Sequence, residues 1–139
     1  MRKRVAIVGS GPTALYALQD LVKSKSPLAI VILEASGVAG KGTPYQRGIN
    51  DPAMLSNIPG IEIPDLPDTL VAWLAAQSEE YLSEFEIERI DISDRAFYPR
   101  VVIGDYFRAQ FERIVAMGEQ ANHTICVREG CQVADIAPT

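Results

Sequence analysis

The chain has 139 residues, 47% of them hydrophobic and 22% charged, with a formal net charge of −5. These values fit one globular domain with a real core and exclude a disordered chain or a basic nucleic-acid-binding surface. Two cysteines (Cys126, Cys131) and one histidine (His123) exclude a disulfide framework and a His/Cys zinc site.

In chain order, the exposed run Arg2-Lys3-Arg4 precedes a short β-branched stretch, Arg4 to Val8, which reads as a strand covered on both faces. Gly9 to Thr13 breaks it. From Ala14, Leu15, Leu18, Leu21 and Val22 recur at helical spacing, and Ser26-Pro27 ends that helix. Leu28 to Leu33 is a second continuous apolar strand, closed by Glu34. Residues 35 to 67 hold five of the ten glycines and five prolines, so little regular structure is predicted there. Asp68 reads as the N-cap of a helix through Leu70, Val71, Trp73 and Leu74, and a second helical piece is expected over Glu79 to Glu88. Trp73 and Tyr81 read as core anchors. After the break at Tyr98-Pro99-Arg100, Ile103 to Ala121 reads as a long amphipathic helix. Thr124 to Val127 is expected to form a third strand and Val133 to Ile136 a fourth, with His123 at the surface.

The basic start and the apolar run after it imitate a signal peptide. Ser10-Gly11-Pro12-Thr13 interrupts that run, no small-residue cleavage site follows, and no stretch reaches the roughly 20 apolar residues that span a bilayer. The expected location is the cytoplasm, with no membrane or nucleic-acid partner.

Gly9-Ser10-Gly11-Pro12-Thr13-Ala14 is a GxGxxA sequence placed between a predicted buried strand and a predicted helix. Gly9 permits the tight turn out of the strand. Gly11 lets the backbone approach a pyrophosphate, and Ala14 keeps the helix close to the sheet. The pyrophosphate would rest on unpaired N–H groups at the positive end of the helix dipole, where Pro12 sacrifices no bonded N–H. Glu34, at the end of the second strand, stands where a ribose-binding carboxylate belongs. It would accept hydrogen bonds from adenosine ribose and repel a 2′-phosphate.

The first 35 residues resemble the N-terminal FAD-binding segment of two-dinucleotide-binding flavoproteins. Gly40-Lys41-Gly42-Thr43-Pro44-Tyr45, Leu55-Ser56-Asn57-Ile58-Pro59, and Phe97-Tyr98-Pro99-Arg100 with Gly104-Asp105-Tyr106-Phe107 resemble a bacterial FAD/NAD(P)-binding family. Its pattern is G-x-G-x-x-Y, then L-x-N-x-P, then P-R followed by G-x-Y-x. The same group includes flavin hydroxylases acting on urate and on the aspartate amino group. The resemblance implies a Rossmann-like α/β domain over residues 1–139, with a partial parallel sheet and the start of an antiparallel meander. It also implies that Gly40, Gly42 and Thr43 wrap the cofactor. Asn57 and Pro59 would lie towards the flavin or substrate, and Arg100 would meet a phosphate or an anionic substrate.

Such flavoproteins carry a closing strand with a Gly-Asp pair and a second domain for NAD(P)H. Neither is found here, so the expectation is the N-terminal portion of a longer protein or a much shortened relative. The expected function is to hold the ADP moiety of FAD in a flavin-dependent oxidoreductase or monooxygenase, with NAD(P)H as co-substrate of the whole protein. A non-catalytic dinucleotide-binding module and an NAD-dependent dehydrogenase domain stay open, and a methyltransferase fits less well. No catalytic residue can be named from the sequence.

Overall fold

Leu28–Leu33 (β2) runs between Pro27 and Glu34 without a polar residue, and it forms the middle strand of a parallel sheet in the order β1-β2-β3. In this computed structural model, which describes residues 1–138, β1 covers Lys3–Val8 and β3 covers Thr124–Arg128. The register sets Val5 beside Ile30 and Ile30 beside Ile125, with Ile7, Ile32 and Val127 in the next inward row. The helix α1, Pro12–Leu21, joins β1 to β2 and buries Leu15 and Leu18.

The connection from β2 to β3 contains everything else. Its irregular first part forms only two single 3-10 turns, Thr43–Tyr45 and Gly60–Glu62, as its glycines and prolines predict. Leu70–Ala75 (α2) and Glu79–Glu84 (α3) follow. The 21-residue helix α4, Arg100–Gln120, then packs Phe107, Phe111 and Ile114 into one core with α1 and the inward rows of the sheet. Trp73 lies edge-on to Tyr81 and Tyr106, each pair of centroids 5.8 Å apart, so these aromatics pack against the core as expected.

Several expectations need correction. The sheet is covered on one face among the described residues, because both α1 and α4 pack on the same side. Ala6, Val8 and Cys126 face outward and are exposed. Thr69, not Asp68, caps α2: its Oγ1 accepts the Ala72 N–H at 3.1 Å. Asp68 turns to α4 instead, where its carboxylate meets Arg113 and its carbonyl accepts the Tyr106 hydroxyl at 2.8 Å. The helix expected to reach Glu88 stops at Glu84, because Glu86 adopts φ +54° and the helical path cannot continue through it. α4 begins three residues before Ile103, since the Pro99 carbonyl accepts the N–H groups of Val102 and Ile103 at 3.0 and 3.2 Å.

His123 is buried rather than at the surface, with 4% of its area exposed. Its Nδ1 accepts the Leu28 N–H at 3.0 Å and its Nε2 lies 3.1 Å from the Val22 carbonyl. The ring therefore joins the end of α1 to the start of β2. The expected strand at Val133–Ile136 is irregular: no partner strand lies beside it among the described residues, and an unpaired strand has no ladder to hold it. No helix among those residues is long and apolar enough to cross a membrane, and no group of three metal-ligating side chains gathers.

Candidate dinucleotide site

β1 ends at Val8, and Gly9 continues its ladder by donating its N–H to the Leu33 carbonyl at 2.8 Å. Gly9 then turns the chain with φ +86°, a region that any side chain makes costly. A Cβ there would meet nothing within 4 Å, so the backbone path alone calls for glycine. Gly11 is the N-cap of α1 and Pro12 its first residue. The Leu15 N–H is the first to bond back, to the Gly11 carbonyl at 3.0 Å. Pro12 has no N–H, so the amides of Thr13 and Ala14 are the free donors of the first turn, at the positive end of the helix dipole.

Glu34 leaves β2 beside this turn and is 8% exposed. Its Oε2 accepts the Ser10 N–H at 3.0 Å and also the Ser10 hydroxyl, while its Oε1 accepts the Ser36 N–H at 2.8 Å. Burial pushes the Glu34 carboxyl up. The hydrogen bonds from Ser10 and Ser36 outweigh burial and hold it below the ordinary glutamate range, so it stands ionised at neutral pH.

The loop after Glu34 folds back onto the turn. Gly42 adopts φ +78°, and a Cβ on it would lie 3.1 Å from both Gly11 Cα and Pro12 Cδ. Two glycines thus meet where the chain must run close to itself, next to the start of α1. The loop is braced from behind by α4. Asp105 on α4 accepts Lys41 Nζ at 2.6 Å, Arg47 at 2.8 Å and the Tyr81 hydroxyl at 2.9 Å. The Arg108 guanidinium reaches the Ala39 carbonyl at 3.0 Å.

Between these parts lies a cleft of about 440 Å³ at the carboxyl ends of β1 and β2, where open parallel sheets bind ligands. Gly9, Ser10, Gly11 and Pro12 form one wall, Glu34 and Ala35 another, and Gly42, Thr43 and Pro44 a third. Among the described residues lining it there is no lysine or arginine. Three glycines, a helix start and one buried carboxylate around the cleft suit a pyrophosphate joined to a ribose.

The predicted residues divide accordingly. Gly9, Ser10, Gly11, Pro12, Glu34, Gly42 and Thr43 come together at the cleft. Thr13 and Ala14 lie in the first turn of α1, outside the cleft wall, and Gly40 sits behind it with its N–H on Ser10 Oγ at 2.9 Å. Asn57 is exposed on the irregular segment, Pro59 caps the second 3-10 turn, and neither lines the cleft. Arg100 contacts the Leu55 carbonyl at 3.3 Å, across the antiparallel bridge between Leu55 and Pro99. Cys131, Gln132 and Val133 also line the cleft and were not expected there. The Cys131 N–H donates to the Glu34 carbonyl at 2.8 Å, which lays this segment over the end of β2. That contact joins residues 97 positions apart and has no local sequence signal.

A three-stranded parallel sheet with a glycine turn, a helix start and a buried acid at its carboxyl edge defines a Rossmann-like dinucleotide-binding domain. A family model described as FAD-NAD(P)-binding matches residues 6–139, and the chain belongs to that family. The Escherichia coli (strain K12) protein whose printed name is "Uncharacterized protein YdhS" is 41% identical over 137 residues, which are 99% of this chain and 26% of that protein. The chain spans about a quarter of the length of this curated relative.

Proposed function

We propose that this domain holds the ADP half of FAD and serves a flavin-dependent oxidoreductase or monooxygenase. The observation that carries this reading is the meeting of the Gly9–Pro12 turn, the buried Glu34 and the Gly42–Pro44 loop around one cleft. The glycines give the pyrophosphate room beside the start of α1, where Gly11 lines the cleft and the adjoining first turn presents the positive end of the helix dipole. Glu34, held ionised, accepts from a ribose hydroxyl and repels a 2′-phosphate. FAD supplies the electron-transfer chemistry, and this chain's residues bind and orient its nucleotide end. Electron supply from NAD(P)H and substrate recognition fall to other parts of a longer protein, by analogy with the group that includes the urate and aspartate hydroxylases.

A second reading is an NAD-binding domain, supported by Glu34, which suits the ribose of NAD equally well.

Fluorescence titration of the chain with FAD, FMN and NAD⁺, with ADP as competitor, separates these readings. The proposal expects FAD to bind, ADP to displace it, and FMN, which lacks the adenosine half, to bind at least about tenfold more weakly. Tighter binding of NAD⁺ than of FAD would favour the second reading, and absence of all nucleotide binding would overturn both.

A further inference from the structure

We infer that Ser10 is a positioning residue for the adenosine ribose, its hydroxyl coupling the ribose-binding carboxylate of Glu34 to the loop that walls the cleft. This rests on the dinucleotide reading above and deepens it.

Ser10 is fully buried, with 0% of its area exposed. Its Oγ receives the Gly40 N–H at 2.9 Å, and a hydroxyl has one proton to give, which it directs to Glu34 Oε2. That same Oε2 also accepts the Ser10 N–H at 3.0 Å. Three segments that are separate in sequence, the glycine turn, the end of β2 and the loop at Gly40, therefore meet at one hydroxyl.

Glu34 is fixed as a result. An ionised carboxylate has about four in-plane acceptor directions. Ser10 occupies two on Oε2 and the Ser36 N–H occupies one on Oε1, which leaves one direction on Oε1 for a ribose hydroxyl to fill. An alanine at position 10 would fit the space. It would also leave the buried Gly40 N–H without its acceptor and remove one of the three bonds on the carboxylate. Glu34 would then be held by the backbone amides of residues 10 and 36 alone and no longer tied to the Gly40 loop. Bonds from neutral donors to an ionised acceptor are among the stronger ones, so the effect on ligand affinity should be large.

The test compares the full chain with Ser10→Ala, Ser10→Cys, Glu34→Gln and the double variant Ser10→Ala/Glu34→Gln. Calorimetric titration with ADP measures affinity, and amide hydrogen exchange at Gly40 in the ligand-free protein measures the latch. Ser10→Cys errs on the larger side where Ser10→Ala errs on the smaller, and its thiol is a much weaker donor, so a loss shared by both variants reports the hydroxyl rather than the packing. The expected result is an ADP affinity lower by about 10- to 100-fold in both Ser10 variants, with faster exchange at Gly40. In the Glu34→Gln background, Ser10→Ala should cost no more than about a further twofold, because Ser10 acts through Glu34. ADP binding within about twofold of the parent in the Ser10 variants, or losses that multiply in the double variant, would overturn the inference alone. A parent chain that binds no ADP would instead overturn the dinucleotide reading, and the inference with it.

Discussion

Asp105 on α4 and Lys41 in the glycine loop form an ion pair of 2.6 Å with only 17% and 11% of their side chains exposed. Arg47 and Tyr81 share the same carboxylate, so one acid fastens the loop to both α4 and α3. Asp105 touches no residue of the cleft wall directly, yet Lys41 stands between Gly40 and Gly42. The position of the wall is thus set from behind.

Replacing Asp105 with Asn should cost about 3 kcal/mol of stability, because Lys41 loses the partner that justifies its burial. The pH dependence has a definite sign. Burial pushes the Asp105 carboxyl up, but the hydrogen bonds from Arg47 and Lys41 outweigh it and hold the group below the ordinary aspartate range. A lowered folded-state pKa contributes stability that is fully present above the ordinary value of about 3.9 and is lost as pH falls through the folded one. The melting temperature of the parent should therefore fall more steeply than that of Asp105→Asn as the pH is lowered from about 5 towards 2. Parallel melting curves over that range would contradict this.

Gly104→Ala should be among the most damaging single changes. A Cβ at Gly104 would run into the Tyr45 carbonyl oxygen and lie 2.8 Å from the Tyr45 Cβ. Backbone cannot yield as a flexible side-chain tip does, so α4 and the loop would have to separate. The expected loss is about 3 kcal/mol in urea unfolding, at or above the usual range for overpacking, with ADP affinity reduced as the wall moves. A variant as stable as the parent would show that α4 does not press on the loop.

His123→Ala should destabilise without touching the cleft. The change strands the Leu28 N–H and the Val22 carbonyl, and each buried group left unsatisfied costs about 1–3 kcal/mol. Thermal unfolding should report the loss, while nucleotide affinity measured well below the melting temperature should stay near that of the parent. A large change in affinity at full folding would place His123 in the site.

β2 was legible to the residue because Leu28 to Leu33 is an uninterrupted apolar run between a proline and an acid. The glycine turn was legible for the same local reason: strand, turn and helix follow one another within a few residues. The irregularity of residues 35 to 67 followed from their glycines and prolines, but Lys41 and Asp105 fall on unspecified positions of the family patterns, and their pairing across 64 residues left no local signal. His123 was misplaced because its partners Leu28 and Val22 lie 95 and 101 residues away. The helix caps at Thr69 and Pro99 differ from expectation by one to three residues, since Asp68 is drawn to α4 by Tyr106 and Arg113 and the Pro99 carbonyl accepts the first N–H groups of α4. The outward row of the sheet was expected to be covered, because β-branched runs cannot reveal which side a helix takes.

The cleft wall, with no lysine or arginine among its described residues, has a consequence for how ionic strength acts on it. Backbone amides and a helix end act at contact distance, where mobile ions intervene little. The long-range field, from a net charge of −5, opposes an incoming diphosphate rather than drawing it in. Raising sodium chloride from about 50 mM to about 500 mM should therefore leave ADP affinity level or tighten it, the reverse of what a basic phosphate site does. A domain built this way would keep its nucleotide as well in a salt-loaded environment as in a dilute one.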